Sequence, residues 1–168
     1  MVHAMFTIRP ATLADEPALG RYGAALMAQH HAADPKRFLQ VDDAEAGYGR
    51  FLASRIEEKR GMVYVAEHED RVVGYAYADL ESTDWLALRG PCGVVHDLYV
   101  DASARRLGAG RALLHAALSW IHAQGRTQAV LSVMPSNTHA QRLFASAGFR
   151  STMIEMTLDR EPPPAAAS

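Results

Sequence analysis

The apolar positions along the chain fall into two periods, and they alternate in blocks. Leu19, Tyr22, Leu26 and His30 lie on one helical stripe, and Tyr48, Phe51, Leu52, Arg55 and Ile56 repeat at i, i+3, i+4, i+7 and i+8, which predicts a second helix over 44–59. A third stripe, Leu107, Leu114, Leu118 and Ile121, is widened by Leu113, Ala117 and Trp120. A fourth helix is predicted after Asn137, which can cap it, with Ala140, Leu143, Phe144 and Ala147 on its apolar face and Gly148 as its stop. Between these blocks the pattern is that of strands. Phe6–Pro10 is stopped by its proline, and 63–67 and 71–78 read as a hairpin turning on His68-Glu69-Asp70. Val94–Val100 is a β-branched and aromatic run, 128–134 another strand ended by Pro135, and Arg150–Leu158 a last one.

The resulting order, β–α–α–β–β–β–α–β–α–β, predicts one α/β domain over residues 1–160 with a mixed sheet flanked by helices. Residues 161–168, rich in proline and alanine, are expected to form a disordered tail. Composition narrows function mainly by exclusion. The chain has 168 residues, 49% hydrophobic and 21% charged, with a formal charge of −2, so nothing basic points to nucleic acid. No apolar run reaches about 18 residues and no signal-peptide core is visible, so no membrane partner is expected. A single cysteine, Cys92, cannot form an internal disulfide, and the expectation is a soluble cytoplasmic protein. His30, His31 and Asp34 do not make a convincing metal set, and no metal is expected.

The chemistry is concentrated in 94–118. A strand ending Leu98-Tyr99-Val100 is followed by Arg105, Arg106, Leu107, Gly108, Ala109, Gly110 and Arg111, and then by a helix. Spaced glycines let a backbone approach a ligand closely, and N–H groups at a helix start suit a phosphate. Neither a Walker loop nor a dinucleotide fingerprint is present.

The spacing Arg105-x-x-Gly108-x-Gly110 after Leu98-Tyr99-Val100 resembles the acetyl-CoA motif of the GCN5-related N-acetyltransferases. Asn137-x-x-Ala140-x-x-Leu143-Phe144-x-x-x-Gly148-Phe149 resembles that family's second motif, and the order of elements agrees over most of the chain. The resemblance implies the acyl-CoA N-acyltransferase fold, with a mostly antiparallel central sheet. It implies acetyl-CoA as cosubstrate, with its pyrophosphate on the backbone of 106–111, charge from Arg105 or Arg106, and its pantetheine arm along Leu98, Tyr99 and Val100. Asn137 and Phe144 join the cofactor side by the same resemblance. The acceptor would be a small amine or a protein amino group, and the family allows a homodimer.

An amine attacks a thioester only when neutral, and neutralising one of pKa near 10.4 at pH 7 costs about 4.6 kcal/mol, so a base is expected. The family often has glutamate where this chain has His96, followed by Asp97. An imidazole is chemically able to take the proton. Asp97, alone or orienting another group, and Glu81 compete for the role. Uniform strand alternation puts His96 on the side of Leu98 and Val100, and Asp97 on the side of Val95 and Tyr99. Where the family commonly carries a tyrosine to protonate the departing thiolate, this chain has Phe144; Ser136 and Tyr99 are weak substitutes. That departure motivates a competing reading as an acyl-CoA-binding or regulatory module. A nucleotide-binding α/β protein is a third. Asp34, Asp42, Asp43 and Glu45 flank the acceptor side in the family and could attract a cationic amine.

Overall fold

The computed structural model describes residues 6–160; the expected tail at 161–168 lies outside them. A five-stranded sheet runs in sequence order through β1 (Thr7–Pro10), β2 (Met62–His68), β3 (Arg71–Glu81), β4 (Cys92–Val100) and β5 (Ala129–Val130). The first four are antiparallel, and β5 joins β4 in parallel. Helices α1 (Glu16–Ala33) and α2 (Ala44–Glu57) cover one face, while α3 (Ala109–Ala123) covers the other; α4 is Thr138–Ser146.

Period-2 sequence explains the two faces. On β2, Val63 and Val65 pack with Leu19, Tyr22 and Leu52, whereas Met62 and Ala66 pack with Leu113, Ala117 and Ile121. Leu19, Leu52, Leu113, Leu114 and Ile121 are all fully buried, each contributing about 1.5–3 kcal/mol of apolar burial. The β2–β3 hairpin turns on Glu69 and Asp70, both at positive φ (49° and 57°), the backbone that a two-residue turn between twisted strands requires. At the N-terminus, Arg9 donates to both carboxylate oxygens of Asp15 (2.8 and 2.9 Å) and to Glu67, tying β1 to β2 and to the start of α1.

Helix α1 approaches α2 closely at Gly23. A Cβ there would stand 2.1 Å from the Tyr48 ring, so only glycine lets that ring lie against α1 and reach across to the sheet.

Three expectations change. Of the strand predicted over 128–134 only Ala129 and Val130 form one, because β5 pairs with β4 only at Gly93 and Val94 and has no neighbour on its other side among the described residues. Arg150–Leu158 is not a strand of this sheet but exposed chain without regular secondary structure, for it meets no ladder among the described residues. Leu107 precedes α3 instead of lying on its buried stripe, and it is half exposed.

Candidate functional site

Two features of β4 shape the site. First, its register with β3 passes from Tyr77↔Asp97 to Ala78↔Val95, leaving His96 as an extra residue without a partner. This β-bulge re-aims the side chain. His96 therefore lies on the α1–α2 face with Asp97, where its ring stacks on Tyr77 at 5.1 Å between centroids and 23° between planes. Uniform alternation places it with Leu98 and Val100, and that expectation is corrected: Leu98 and Val100 pack on the α3 side. Phe51 meets the Tyr77 ring edge-on at 5.8 Å, and Tyr48 meets Phe51 at 6.2 Å.

Second, Asp97 is buried while His96 is exposed. The Tyr75 and Tyr48 hydroxyls donate to the same oxygen, Oδ2, at 2.9 and 3.1 Å. Burial pushes the Asp97 carboxyl above the usual carboxylate range, against the two hydroxyl bonds that favour its ionised form. Burial, with the nearby Asp97 charge, pushes the Tyr48 and Tyr75 phenols up as well, so both remain donors at neutral pH. Tyr75 and Tyr77 carry no motif. Their i, i+2 spacing on β3 shows that they share a face, but nothing in sequence links them to Asp97.

Glu81 forms an ion pair with Arg89, which engages its carboxylate. His30 and His31 donate from Nδ1 to the carbonyls of Leu26 (2.8 Å) and Phe38 (2.7 Å). Among the described residues no group of three histidine, cysteine or acidic side chains is placed to hold a metal. Asp34 accepts from the backbone of Lys36 and Arg37, ordering the α1–α2 loop, and Asp43 lies 3.7 Å from Arg50. Cys92 is buried.

The loop after β4 begins with Asp101, whose side chain accepts from the Ser103 backbone at 2.9 Å. Arg105 folds back, donating from Nε to the Val100 carbonyl (3.0 Å) with its guanidinium 5.7 Å from the Tyr99 ring centroid. Tyr99 is stacked on its partner Tyr22 at 5.4 Å. Arg106 adopts positive φ (64°), as does Gly108 (99°), the residue just before α3. A Cβ on Gly108 would meet no atom within 4 Å, so the space above the helix start is open, and no side chain caps the first N–H groups. Those groups are the orphan donors of a helix start. They face an anion's natural place, so the loop fits a pyrophosphate. Gly110 lies beneath Leu143 of α4 and Val100, with room for a Cβ at ordinary contact distance. Ala109 is buried; Arg106, Leu107 and Arg111 are exposed. Beyond Val94 no strand among the described residues pairs with this edge of β4, so its backbone groups there are not engaged by a ladder.

Asn137 caps α4, accepting from the Ala140 backbone at 3.1 Å, and Gln141 holds the loop before it through the Met134 and Pro135 carbonyls. Phe144 is buried against Phe149, with centroids 6.0 Å apart.

Known proteins share this fold. A single-site mutant of the BH1408 protein of Bacillus halodurans superposes with a TM-score of 0.79 at 23% identity, covering 92% of this chain and 99% of that one. Aminoglycoside N-acetyltransferase AAC(6')-Iy in complex with CoA gives 0.72 at 18% identity, covering 94% and 96%. At these identities the fold is what is shared. In sequence, the chain is 34% identical over 101 residues to mycothiol acetyltransferase of Thermobispora bispora, matching 58% of this chain but only 32% of that protein's length. An uncharacterized N-acetyltransferase of Mycobacterium tuberculosis is 30% identical over 121 residues, 71% of each protein. The sequence model of the Acetyltransferase (GNAT) family matches residues 24–149. The motifs, the fold and this match together make the chain a member of the GNAT acetyltransferase family.

Proposed function

We propose that residues 1–160 act as one domain that is an acetyl-CoA-dependent N-acetyltransferase, moving an acetyl group directly to a primary amine in a ternary complex. Acetyl-CoA supplies an activated acyl carbon when bound, and the chain's residues do the rest. The helix-start N–H groups of 108–111 take the pyrophosphate, with Arg106 and Arg111 adding positive charge; Arg105 instead braces the end of β4 through Val100. The open β4 edge around Leu98 offers backbone donors to the thioester carbonyl oxygen. Leu98, Tyr99 and Val100 serve the pantetheine arm through backbone, since their side chains are committed to packing.

His96 takes the proton from the amine, directly or through water. The observation that carries this assignment is the bulge, which leaves the imidazole exposed on the same face as Tyr77 while Asp97 is buried under two tyrosines. Asp97 then acts as a positioning residue, holding Tyr48 and Tyr75 in place behind the stack. The relatives named for mycothiol and aminoglycoside acetylation support an amine acceptor, either a small amine or a protein amino group. A cytoplasmic location agrees with the lone buried Cys92 thiol. No helix among the described residues is long and apolar enough to cross a membrane.

The test is CoA thiol release from acetyl-CoA against a panel of primary amines, with a control lacking acceptor. Release that depends on one class of amine supports the proposal. Tight CoA binding with no transfer to any amine or protein extract replaces it with the binding-module reading.

A further inference from the structure

The helical stripe of α2 runs Tyr48, Phe51, Leu52 and then carries a charge, Arg55, at the next apolar position. The half-buried Arg55 guanidinium lies over Phe51, its carbon 5.1 Å from the ring centroid. Phe51 meets Tyr77 edge-on at 5.8 Å, and Tyr77 carries the His96 stack at 5.1 Å, so one row of rings joins the guanidinium to the imidazole. The Arg55 charge reaches the Tyr77 phenol, where it opposes the upward push of burial. Arg55 Nε is buried with no hydrogen-bond partner, and Arg55 joins none of the ion pairs among the described residues. Acids on the neighbouring elements are engaged elsewhere. Asp97 accepts from Tyr48 and Tyr75, Asp79 from the Leu80 backbone at 2.7 Å, Glu81 pairs with Arg89, and Glu58 lies 3.6 Å from Arg60. Arg89 and Arg126 also have a buried Nε without a partner, but Arg89 is paired with Glu81 and Arg126 lies on the connection from α3 to β5. A half-buried guanidinium with an unmet donor favours an oxyanion, whose two oxygens match its fork.

Resting on the acetyltransferase reading above, we infer that the acceptor is a small primary amine that also bears a carboxylate, the amine presented to His96 and the carboxylate held by Arg55. The ring row is the reason for placing both groups in one molecule. Phe51, 42% exposed, and the exposed His96 present the row to solvent, with buried Tyr77 as the floor between them. An apolar or flat body suits that floor, because ring faces and edges offer it contact and no charge to pair with. A second cation at the far end of the acceptor would meet Arg55 with like charge, so a simple polyamine is disfavoured. The acids of the α1–α2 loop do not offset this. Asp34 accepts from its own loop and Asp43 lies beside Arg50. Arg55 is thus a specificity residue, acting on the end of the acceptor remote from the reacting nitrogen.

Matched acceptors test this on the full chain: ω-amino acids of increasing chain length, each beside the alkylamine of the same length. The members of a pair then differ in the carboxylate and little in amine basicity. Wild type should favour the acid of the best-fitting pair by roughly 10-fold or more in kcat/KM, expressed in KM. Arg55→Met keeps an apolar stem on Phe51 without the charge and should abolish that preference; Arg55→Lys, which keeps the charge without the fork, should restore part of it. Calorimetry of the same acids with the CoA-loaded protein reads the site without turnover. Binding that is lost in Arg55→Met supports the carboxylate site even where no amine is acetylated, a result that would overturn the acetyltransferase reading alone. Equal use of both members of every pair by wild type overturns the inference and leaves that reading standing. So does a loss in Arg55→Met that is the same for acid and plain amine, which would make Arg55 only a brace for Phe51. Neither binding nor turnover with any acceptor overturns both.

Discussion

His96 lies nearly flat on Tyr77, with ring centroids 5.1 Å apart, because a bulge in β4 carries it to the face that a regular strand would have turned away from. The stack gives the imidazole one preferred plane in which to meet an acceptor. Tyr77→Phe keeps the ring and should leave kcat within about two-fold, whereas Tyr77→Leu removes it and should lower kcat about 10-fold at unchanged KM for acetyl-CoA. Steady-state kinetics of the two variants check this. Equal losses in both would assign the effect to the hydroxyl.

Asp97 separates positioning from proton transfer. Asp97→Leu strands the Tyr48 and Tyr75 hydroxyls in the core and should destabilise by about 1–3 kcal/mol in denaturant melts. Asp97→Asn keeps an acceptor for both, so its activity loss should be smaller than that of His96→Ala. A buried carboxyl whose folded pKa is raised adds stability that is complete below its unfolded value, near 4, and is lost as pH rises through the folded value. The stability of wild type relative to Asp97→Asn should therefore fall as pH rises from about 4 toward neutrality. A difference that does not vary with pH would contradict the assigned cause.

Gly108 combines positive φ with open space over the first turn of α3. Gly108→Val strains the backbone by about 1–3 kcal/mol and places methyl groups where a pyrophosphate would lie. CoA binding by calorimetry should weaken by at least about 10-fold, with His96-dependent chemistry retained at saturating cofactor. Unaltered affinity would move the phosphate site off this loop.

The Arg9 guanidinium holds the Asp15 carboxyl below the usual carboxylate range. A depressed carboxyl contributes stability that is present above its unfolded pKa, near 4, and is lost as pH falls through the folded value. Because Arg9 is about a third exposed, screening reduces the effect, and Arg9→Met should cost about 1–2 kcal/mol at pH 7. The gap should close in acid, as urea melts from pH 7 downward would show.

Much of this architecture is written locally. The stripe over 113–121 and the polar turn after His68 each require only neighbours in sequence, and the β2–β3 hairpin and α3 follow from them. The Arg105-x-x-Gly108-x-Gly110 spacing likewise marks a loop whose backbone conformation depends on its own glycine. What the sequence hides is relational. The bulge at His96 depends on how β4 meets β3, and strand alternation assumes an even pleat. The Tyr48–Asp97–Tyr75 cluster joins three elements that no spacing rule connects. In Arg150–Leu158 the alternation predicts a strand that the structure does not form, because a period-2 pattern says nothing about whether a ladder is there to receive it.

The central claim is that His96 removes a proton that the amine must lose. Turnover of wild type and His96→Ala on two acceptors tests it most directly: a lysine-like amine that is protonated at pH 7, and an aromatic amine or hydrazide already neutral there. His96→Ala should lose about 100-fold or more in kcat on the first and far less on the second, with CoA affinity unchanged in both. An equal loss on the two acceptors, or none on either, would contradict the assignment of His96 as the base.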